Sequence, residues 1–164
     1  NSIYEEATQD ATKSGMGTTM VAATIFDHHM CVGNVGDSRL YVYHEGQLQQ
    51  VTQDHSVVGE MVRKGEMPKE QARNHPKRNL ITRAVGAEKE IRVDFFDETL
   101  ADGDLVLMCT DGLTSMVEEK QIEEVLASAV SLQEKTNRLV ELANDNGGKD
   151  NITVIIIEPF SDEV

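Results

Sequence analysis

Cysteine is scarce in this sequence, and long apolar runs are absent from it. The two cysteines, Cys31 and Cys109, lie far apart within apolar strand-like runs and are too few for a disulfide framework. We therefore expect both to be buried, reduced thiols and the compartment to be the cytoplasm. No stretch approaches the roughly 20 apolar residues of a membrane-spanning helix, and no signal-peptide pattern is present. A membrane segment is therefore not expected.

Basic residues are also few relative to acidic ones. The 164 residues include 15 Lys and Arg against 29 Asp and Glu, which gives a formal net charge of −14 at pH 7. Such a field repels phosphate backbones and anionic lipid headgroups, so the charge argues against nucleic-acid or membrane-surface binding. Two interpretations of the acidity remain, namely a surface that keeps the protein soluble and a site that binds cations.

The length fits one globular domain, which we place at residues 1–164. A chain of this size buries roughly 70% of its unfolded surface on folding. The sequence contains no internal repeat, Pro-rich linker or low-complexity tract. The first residues, from Asn1 to Glu6, include no Met and have the composition of a helix already under way. We therefore expect the biological N-terminus to lie upstream.

The hydrophobic pattern predicts both strands and helices. Apolar runs separated by turn residues predict strands at 18–26, 30–35, 40–43, 47–51, 91–96, 105–109 and 152–157. Helical spacing predicts helices at 1–13, 118–129 and 131–146, the last opened by a capping box of Ser131 and Glu134. Segment 57–79 has helical spacing broken by Gly65, and we interpret it as an inserted helical flap. Hairpin strands followed by helices indicate an α+β fold.

Three aspartates stand beside glycine or asparagine where a predicted strand meets a loop: Asp37, Asp111 and Asp150. An aspartate in this setting is commonly a turn residue, because its carboxylate bonds its own backbone. Asp111 follows one apolar run and Asp150 precedes another, so we expect both at the rim of the core. Carboxylates held close together repel one another unless a cation lies between them, and oxygen ligands select Mg²⁺ or Mn²⁺. No Cys or His spacing suits structural zinc.

Histidines and basic residues offer weaker signals. His55 precedes a predicted helix, where a cap or a loop hydrogen bond is a better interpretation than acid–base catalysis. His75, Lys77 and Arg78 form a small basic patch in the flap. This patch is either solvated loop charge or a contact for phosphorylated substrates.

Six short segments stand out in order along the chain. They are Gly15-Met16-Gly17-Thr18-Thr19, Val35-Gly36-Asp37-Ser38-Arg39-Leu40-Tyr41, Thr52-Gln53-Asp54-His55-Ser56, Ile81-Thr82-Arg83-Ala84-Val85-Gly86, Cys109-Thr110-Asp111-Gly112-Leu113 and Gly148-Lys149-Asp150-Asn151-Ile152-Thr153-Val154. Together they resemble the successive motifs of bacterial PP2C phosphatases, a family of metal-dependent Ser/Thr protein phosphatases. One such motif would carry little weight, but six in the right order over residues 15–157 are specific.

The resemblance implies an α-β-β-α sandwich of two antiparallel sheets flanked by helices, with a metal cluster at one end. In that family the aspartates matching Asp111 and Asp150 bind two central ions, Mn²⁺ or Mg²⁺, and the one matching Asp37 helps to hold a third. Ser115 stands where some members have an aspartate that assists the third ion. Segment 57–79 matches a mobile flap beside the catalytic cleft. The implied activity is hydrolysis of phosphoserine and phosphothreonine by a metal-activated water, on phosphorylated proteins such as a Ser/Thr kinase and its substrates.

Three features of the family's N-terminal part do not occur in the sequence. They are an Arg that contacts the substrate phosphate, an Asn-Glu-Asp segment, and an Asp-Gly-Met-Gly-Gly-His segment that supplies a bridging Asp and a His. We therefore expect the C-terminal two-thirds of such a domain, which alone is inactive, weak in metal binding and prone to self-association. The alternative is a non-catalytic PP2C-like module that binds a kinase or regulator. A phosphatase acting on a regulatory partner of a sigma factor fits the flap motifs less well.

Overall fold

The computed structural model describes residues 2–160, which form two antiparallel β-sheets together with helices. The chain divides into two compact units made of interleaved segments. The first unit contains the chain up to Ala23, Val32–Ser38 and Gln53–Phe96. The second contains Thr24–Cys31, Arg39–Thr52 and the chain from Asp97 onward. The prediction of an α+β fold is confirmed.

One sheet has three strands in the order β1, β2, β5. The strands are β1 (Met20–Phe26), β2 (His29–Val35) and β5 (Asp94–Thr99). Strands β1 and β2 are the predicted hairpin, and Asp27 in its turn has a positive φ of 55°. Strand β5 begins later than the sequence predicts, because the apolar residues of 91–96 are only partly in the strand and it continues through polar Glu98 and Thr99. Its residues alternate between half-buried and exposed, which is typical of a strand with one face in solvent.

The other sheet has four antiparallel strands in the order β4, β3, β6, β7. The strands are β3 (Arg39–His44), β4 (Gln47–Gln50), β6 (Leu105–Cys109) and β7 (Val154–Ile157). Glu45 and Gly46 join β3 to β4 with φ of 46° and 87°, as a two-residue type I′ hairpin turn requires. In the centre, Leu107 pairs with Tyr41 on one side and with Ile156 on the other. All four strands were expected from the sequence.

Two helices build the core of the second unit together with this four-stranded sheet. They are α5 (Glu119–Ala127) and α6 (Leu132–Asp145), close to the predicted bounds. Their apolar faces bury Ile122 and Leu139 in one cluster with Tyr41 and Leu107 of the sheet. Burying each aliphatic side chain of this size contributes about 1.5–3 kcal/mol. This core fixes the strand ends from which the site residues project.

The caps of these helices differ in detail from the prediction. The Ser131 hydroxyl accepts a hydrogen bond from the Glu134 N–H at 3.2 Å, as expected for the start of α6. The reciprocal capping box lies instead at the start of α5, where Glu118 and Gln121 each accept from the other's backbone N–H. Such a cap is worth about 1 kcal/mol.

The segment interpreted as a flap contains two short helices, α2 (Val57–Arg63) and α3 (Lys69–Ala72). Ser56 caps α2, and Gly65 breaks the helical run at a positive φ of 71°. The ends of the segment are fastened to each other, because the Val57 N–H donates to the Leu80 carbonyl at 2.9 Å. Both short helices lie within the segment whose spacing predicts helix.

The N-terminal helix, the two cysteines and the lengths of the helices also bear on predictions from the sequence. The N-terminal helix, α1 (Ser2–Gln9), is followed by a single 3₁₀ turn (Ala11–Lys13), and Gly15 after this turn has a φ of 79°. Cys31 and Cys109 are not joined in a disulfide, and only Cys109 is buried. The prediction for Cys31 is wrong, because the alternation of β2 places its side chain on the exposed face. None of the helices within residues 2–160 has the length and apolarity to cross a membrane.

Candidate metal centre

The first candidate ligand, Asp111, opens a single helical turn, α4 (Asp111–Thr114), directly after β6. From the sequence, Asp111 is expected where a strand meets a loop, and this helical turn is not predicted. Backbone and side-chain bonds join this point to the chain before β7. The Thr110 N–H donates to the Thr153 carbonyl at 3.1 Å, and the Thr110 hydroxyl donates to the Asn151 carbonyl at 3.2 Å. Asp111 is thereby brought towards the loop that carries Asp150.

Gly112 makes this close approach possible. A Cβ at position 112 would lie 2.2 Å from the carbonyl oxygen of Asn151, a distance that no side chain tolerates without a shift of the backbone. Glycine is therefore required by the contact between the two chain segments rather than by its own φ. In the sequence the Asp111-Gly112 pair resembles a simple turn. In the structure its glycine instead allows two backbone segments to approach closely.

The second candidate ligand, Asp150, lies in the loop between α6 and β7. Gly147 and Gly148 both have positive φ and end the helix, and the Gly148 N–H donates to the Ala143 carbonyl at 3.0 Å. The Asp150 carboxylate accepts the Asn151 N–H at 2.7 Å and is exposed. The sequence placed both aspartates at the rim of the core. This holds for half-buried Asp111, whereas Asp150 is more exposed than expected.

The ionisation of Asp111 is influenced by its burial and by the charges around it. Burial raises the pKa of Asp111 above its ordinary value, and the negative charge of Asp150 raises it further. Hydrogen bonds from the backbone N–H groups of Gly112 and Asp111, and the positive charge of Arg39, act in the opposite direction. Asp111 thus carries an electrostatic cost that a cation between the two carboxylates would remove.

Arg39 is held in place by a buried phenol, that of Tyr41, whose role no local sequence pattern indicates. Its Nη1 donates to the hydroxyl oxygen of Tyr41 at 3.0 Å, and the Tyr41 O–H donates to Glu119 Oε1 at 3.3 Å. Tyr41 is fully buried, and this burial raises the pKa of its hydroxyl far above the ordinary value. The sequence indicates only part of this set of contacts. Arg39 lies inside a recognised motif, but Glu119 is 78 positions from Tyr41, so no local pattern joins them.

The third candidate ligand, Asp37, belongs to the first unit and lies in the turn after β2. Gly36 before it has φ of 111°, and a Cβ there would lie 2.3 Å from the Thr19 side chain. Ser38 after it is buried, and its Oγ lies 3.0 Å from Thr19 Oγ1. Asp37 itself is half-buried in this tight turn.

His55 holds the same turn in place through a loop hydrogen bond, one of the two roles expected for it from the sequence. Its ring is buried, and Nδ1 accepts the Gly36 N–H at 3.0 Å. On the other side of the ring, Nε2 lies 3.0 Å from Asp94 Oδ2, and Arg83 donates to Asp94 Oδ1 at 2.8 Å. Asp94 and the role of Arg83 were missed, because no local pattern links these positions to residue 36.

The donor chemistry fits a hard divalent cation, but the number of donors is small. Carboxylate oxygens are the ligands that Mg²⁺ and Mn²⁺ favour, and Asp111 and Asp150 supply such oxygens. Among residues 2–160, no three His, Cys, Asp or Glu side chains converge as a group able to hold a metal ion. Further ligands would have to come from water or from outside this set.

Comparison with known proteins gives consistent relatives. The protein phosphatase 2C family model matches residues 2–146. The serine/threonine phosphatase Stp of Listeria monocytogenes is 45% identical over 156 residues, which cover 95% of this chain and 61% of that protein. The chain therefore spans about three-fifths of the length of this relative.

Solved structures show the same relationship. The crystal structure of the serine/threonine phosphatase Stp1 from Staphylococcus aureus matches with a TM-score of 0.92 at 36% identity, covering 98% of this chain and 63% of that one. The catalytic domain of the phosphatase PstP, crystallised with two manganese ions, matches with a TM-score of 0.84 at 32% identity, over 94% of this chain and 64% of that one. The six ordered motifs, the arrangement of strands and helices and these matches agree, and the chain belongs to the protein phosphatase 2C family.

Proposed function

We propose that the protein is a metal-dependent serine/threonine phosphatase that hydrolyses phosphoserine and phosphothreonine in proteins. The observation that carries the proposal is the pairing of Asp111 with Asp150 across the ends of β6 and β7, where the negative charge of Asp150 disfavours ionisation of Asp111. Membership in the family and the 45% identity to a named Ser/Thr phosphatase support it. Two converging carboxylates are costly in a protein that only binds a partner.

In this mechanism the chain's own residues hold and tune the reaction centre. Asp111 and Asp150 would bind two divalent cations, and Asp37 would contribute to a third. A cation bound there would activate a water molecule and neutralise the charge on the phosphoryl group. Phosphate esters hydrolyse slowly without a catalyst, so the reaction requires both effects. Arg39, braced by Tyr41, keeps a positive charge near Asp111 and favours its ionised, ligating form. No covalent intermediate on a Ser or Cys of the chain is required.

We propose Mn²⁺ or Mg²⁺ as the metal, since both prefer oxygen ligands such as carboxylates. Manganese has the support of the PstP relative, which was crystallised with two manganese ions. A titration of each ion, followed by calorimetry and by aryl-phosphate turnover, distinguishes the two.

The flap segment, residues 57–79, is proposed to contact phosphorylated substrates within a single phosphatase domain. It contains six of the chain's 15 basic residues but three of its 29 acidic ones, so it is basic within a strongly acidic protein. Its exposed positions include Lys64, Lys69 and Lys77. An acidic phosphopeptide is therefore attracted to this segment while the rest of the surface repels it. A Ser/Thr kinase and its substrates are the partners proposed, in the cytoplasm, where free thiols persist.

Self-association is proposed for the 164-residue chain by itself. Phe26 on β1 is 85% exposed, Phe95 on β5 is 69% exposed, and Ile155 on β7 is 49% exposed. Apolar side chains on strands at the border of a sheet favour pairing with another copy. Light scattering of the purified chain at about 100 μM measures this self-association. A monomer at that concentration would contradict the proposal.

A non-catalytic binding module is the second candidate. The observation in its favour is that no group of three metal-ligating side chains forms among residues 2–160. The experiment that separates the candidates is hydrolysis of an aryl phosphate and of a phosphothreonine peptide with millimolar Mn²⁺. It uses the protein with its complete phosphatase domain. Metal-dependent turnover supports the enzyme, whereas tight metal-independent phosphopeptide binding without turnover supports the module.

A further inference from the structure

We propose that His55 is a positioning residue that holds the Gly36-Asp37 turn in the conformation in which Asp37 takes part in metal binding. The inference deepens the proposed function and rests on it for the role of Asp37. It gives a structural role to the Thr52-Gln53-Asp54-His55-Ser56 motif, which contains none of the three candidate metal ligands.

The contact between the two residues is double. The Gly36 N–H donates to His55 Nδ1 at 3.0 Å, and the His55 N–H donates to the Gly36 carbonyl at 2.9 Å. Both polar groups of Gly36 are thus held by one buried residue, of which 3% is exposed. On the opposite side, Thr19 leaves no room for a Cβ at position 36. The backbone entering Asp37 is therefore confined from two directions.

The hydrogen bonds also fix the state of the imidazole ring. A backbone N–H can only donate, so Nδ1 must be the unprotonated nitrogen of the ring. The ring proton then lies on Nε2, which faces Asp94 Oδ2 at 3.0 Å. The opposite tautomer would place two donors against each other at Gly36 and leave Nε2 without a proton for Asp94.

Asp94 is in turn held by arginine. Arg83 Nη1 donates to Asp94 Oδ1 at 2.8 Å, and Arg92 Nε lies 3.4 Å from the same Asp94 oxygen. Arg83 Nη1 also lies 2.9 Å from His55 Nε2, but with the ring proton on Nε2 both atoms are donors, so this contact is not a hydrogen bond. Although burial acts in the opposite direction, the bonds from His55 and Arg83 lower the pKa of Asp94. A carboxylate acceptor is thus maintained for the ring proton, and the connection runs from Arg83 through Asp94 and His55 to Gly36.

A histidine that only filled the core would give the same burial but would not need these hydrogen bonds. Two substitutions separate the possibilities. His55→Asn retains an acceptor near the position of Nδ1, whereas His55→Gln places its amide near Nε2 and loses the acceptor for Gly36. Both variants lose the ring, so both are expected to lower Tm by similar amounts.

The first readout is hydrogen exchange of the Gly36 amide, measured by NMR on the chain itself. We expect exchange to accelerate at least about tenfold in His55→Gln relative to His55→Asn, because only the latter keeps an acceptor. His44→Gln is the matched control. His44 also bonds a carboxylate, Asp104, at 2.6 Å, but lies in the second unit. It should leave Gly36 exchange unchanged. Equal exchange rates in wild type, His55→Asn and His55→Gln would overturn the proposal.

The second readout is Mn²⁺ binding, followed by paramagnetic broadening of the Asp37 resonances in the complete domain and by calorimetry. His55→Gln should need about tenfold more Mn²⁺ for the same broadening, His55→Asn less than threefold more. In an Asp37→Ala background the two variants should bind equally. An unchanged Mn²⁺ midpoint in His55→Gln would overturn the positioning role. No Asp37-dependent binding in wild type would instead overturn the third-ion site of the proposed function, and the Gly36 exchange rates would still decide whether His55 holds the turn.

Discussion

The two regions that carry the candidate ligands hold a carboxylate at the end of a strand by different means. Beside Asp111, the backbone of one segment presses against the backbone of another, with Gly112 against the Asn151 carbonyl. Before Asp37, a buried side chain, His55, takes the Gly36 N–H. Both arrangements need a glycine that has no room for a Cβ, but only the second also depends on a buried side chain, that of His55. Substitution of a side chain outside the turn should therefore disturb the Asp37 region through His55, whereas the Asp111 region depends on the close approach of two backbones.

The strongest test of the comparison removes the charge of the paired carboxylates. In the complete domain, Asp111→Asn or Asp150→Asn should lower Mn²⁺-dependent aryl-phosphate hydrolysis at least roughly 10³-fold, because a metal site loses a charged ligand. Circular dichroism should show an unchanged fold. Turnover close to that of wild type in either variant would refute the assignment of both residues.

The second test fills the space that the Asp111 region keeps empty. Gly112→Ala should destabilise the protein by about 3 kcal/mol, since its Cβ meets a backbone carbonyl that cannot rotate away. The measurement is urea unfolding of the chain. Gly33→Ala is the control, because the nearest atom to a Cβ there is 3.5 Å away and the expected change is within about 0.5 kcal/mol. Equal effects at both positions would mean that the crossing at Asn151 is not tight.

The third test weakens the Asp37 region without altering the pair. Asp37→Ala should lower activity about tenfold at micromolar Mn²⁺, with partial recovery at millimolar Mn²⁺, because a low-affinity site is affected rather than the central one. Asp102→Ala, at an exposed aspartate in a turn, is the control. A metal dependence identical to that of wild type would remove Asp37 from the metal centre.

The sequence revealed the Asp111 region more fully than the Asp37 region, and the reason is physical. Asp111 and Asp150 adjoin apolar runs whose strand character is visible locally, and antiparallel pairing of those runs brings the aspartates together. The helices α5 and α6 were equally visible from their spacing, and α6 also from the cap at Ser131. Patterns with a period of a few residues therefore located the strands, the helices and one pair of candidate ligands.

Contacts between distant positions and polar strands escaped the same reasoning. Tyr41 meets Glu119 and His55 meets Asp94 only because tertiary structure brings them together. Strand β5 was displaced in the prediction because its second half is polar on a solvated face. Cys31 was expected to be buried because the run around it is apolar, although alternation in β2 turns it outward. Contacts between side chains distant in sequence produce no periodic pattern, whereas strands and helices do.

The smallest expected effect concerns stability without metal. Burial and Asp150 raise the pKa of Asp111 in the folded chain, so the neutral form is favoured on folding. Its contribution to stability is present below the ordinary pKa and is lost as the pH rises through the raised one. Asp111→Asn should therefore raise Tm by about 2 °C at pH 7 in EDTA and leave it unchanged near pH 3, where both states are protonated. Glu141→Gln, at an exposed site on α6, corrects for the loss of one negative charge from an acidic protein. If Asp111→Asn gains no more than this control at pH 7, the two carboxylates do not oppose each other, and the electrostatic reason for a cation between them disappears.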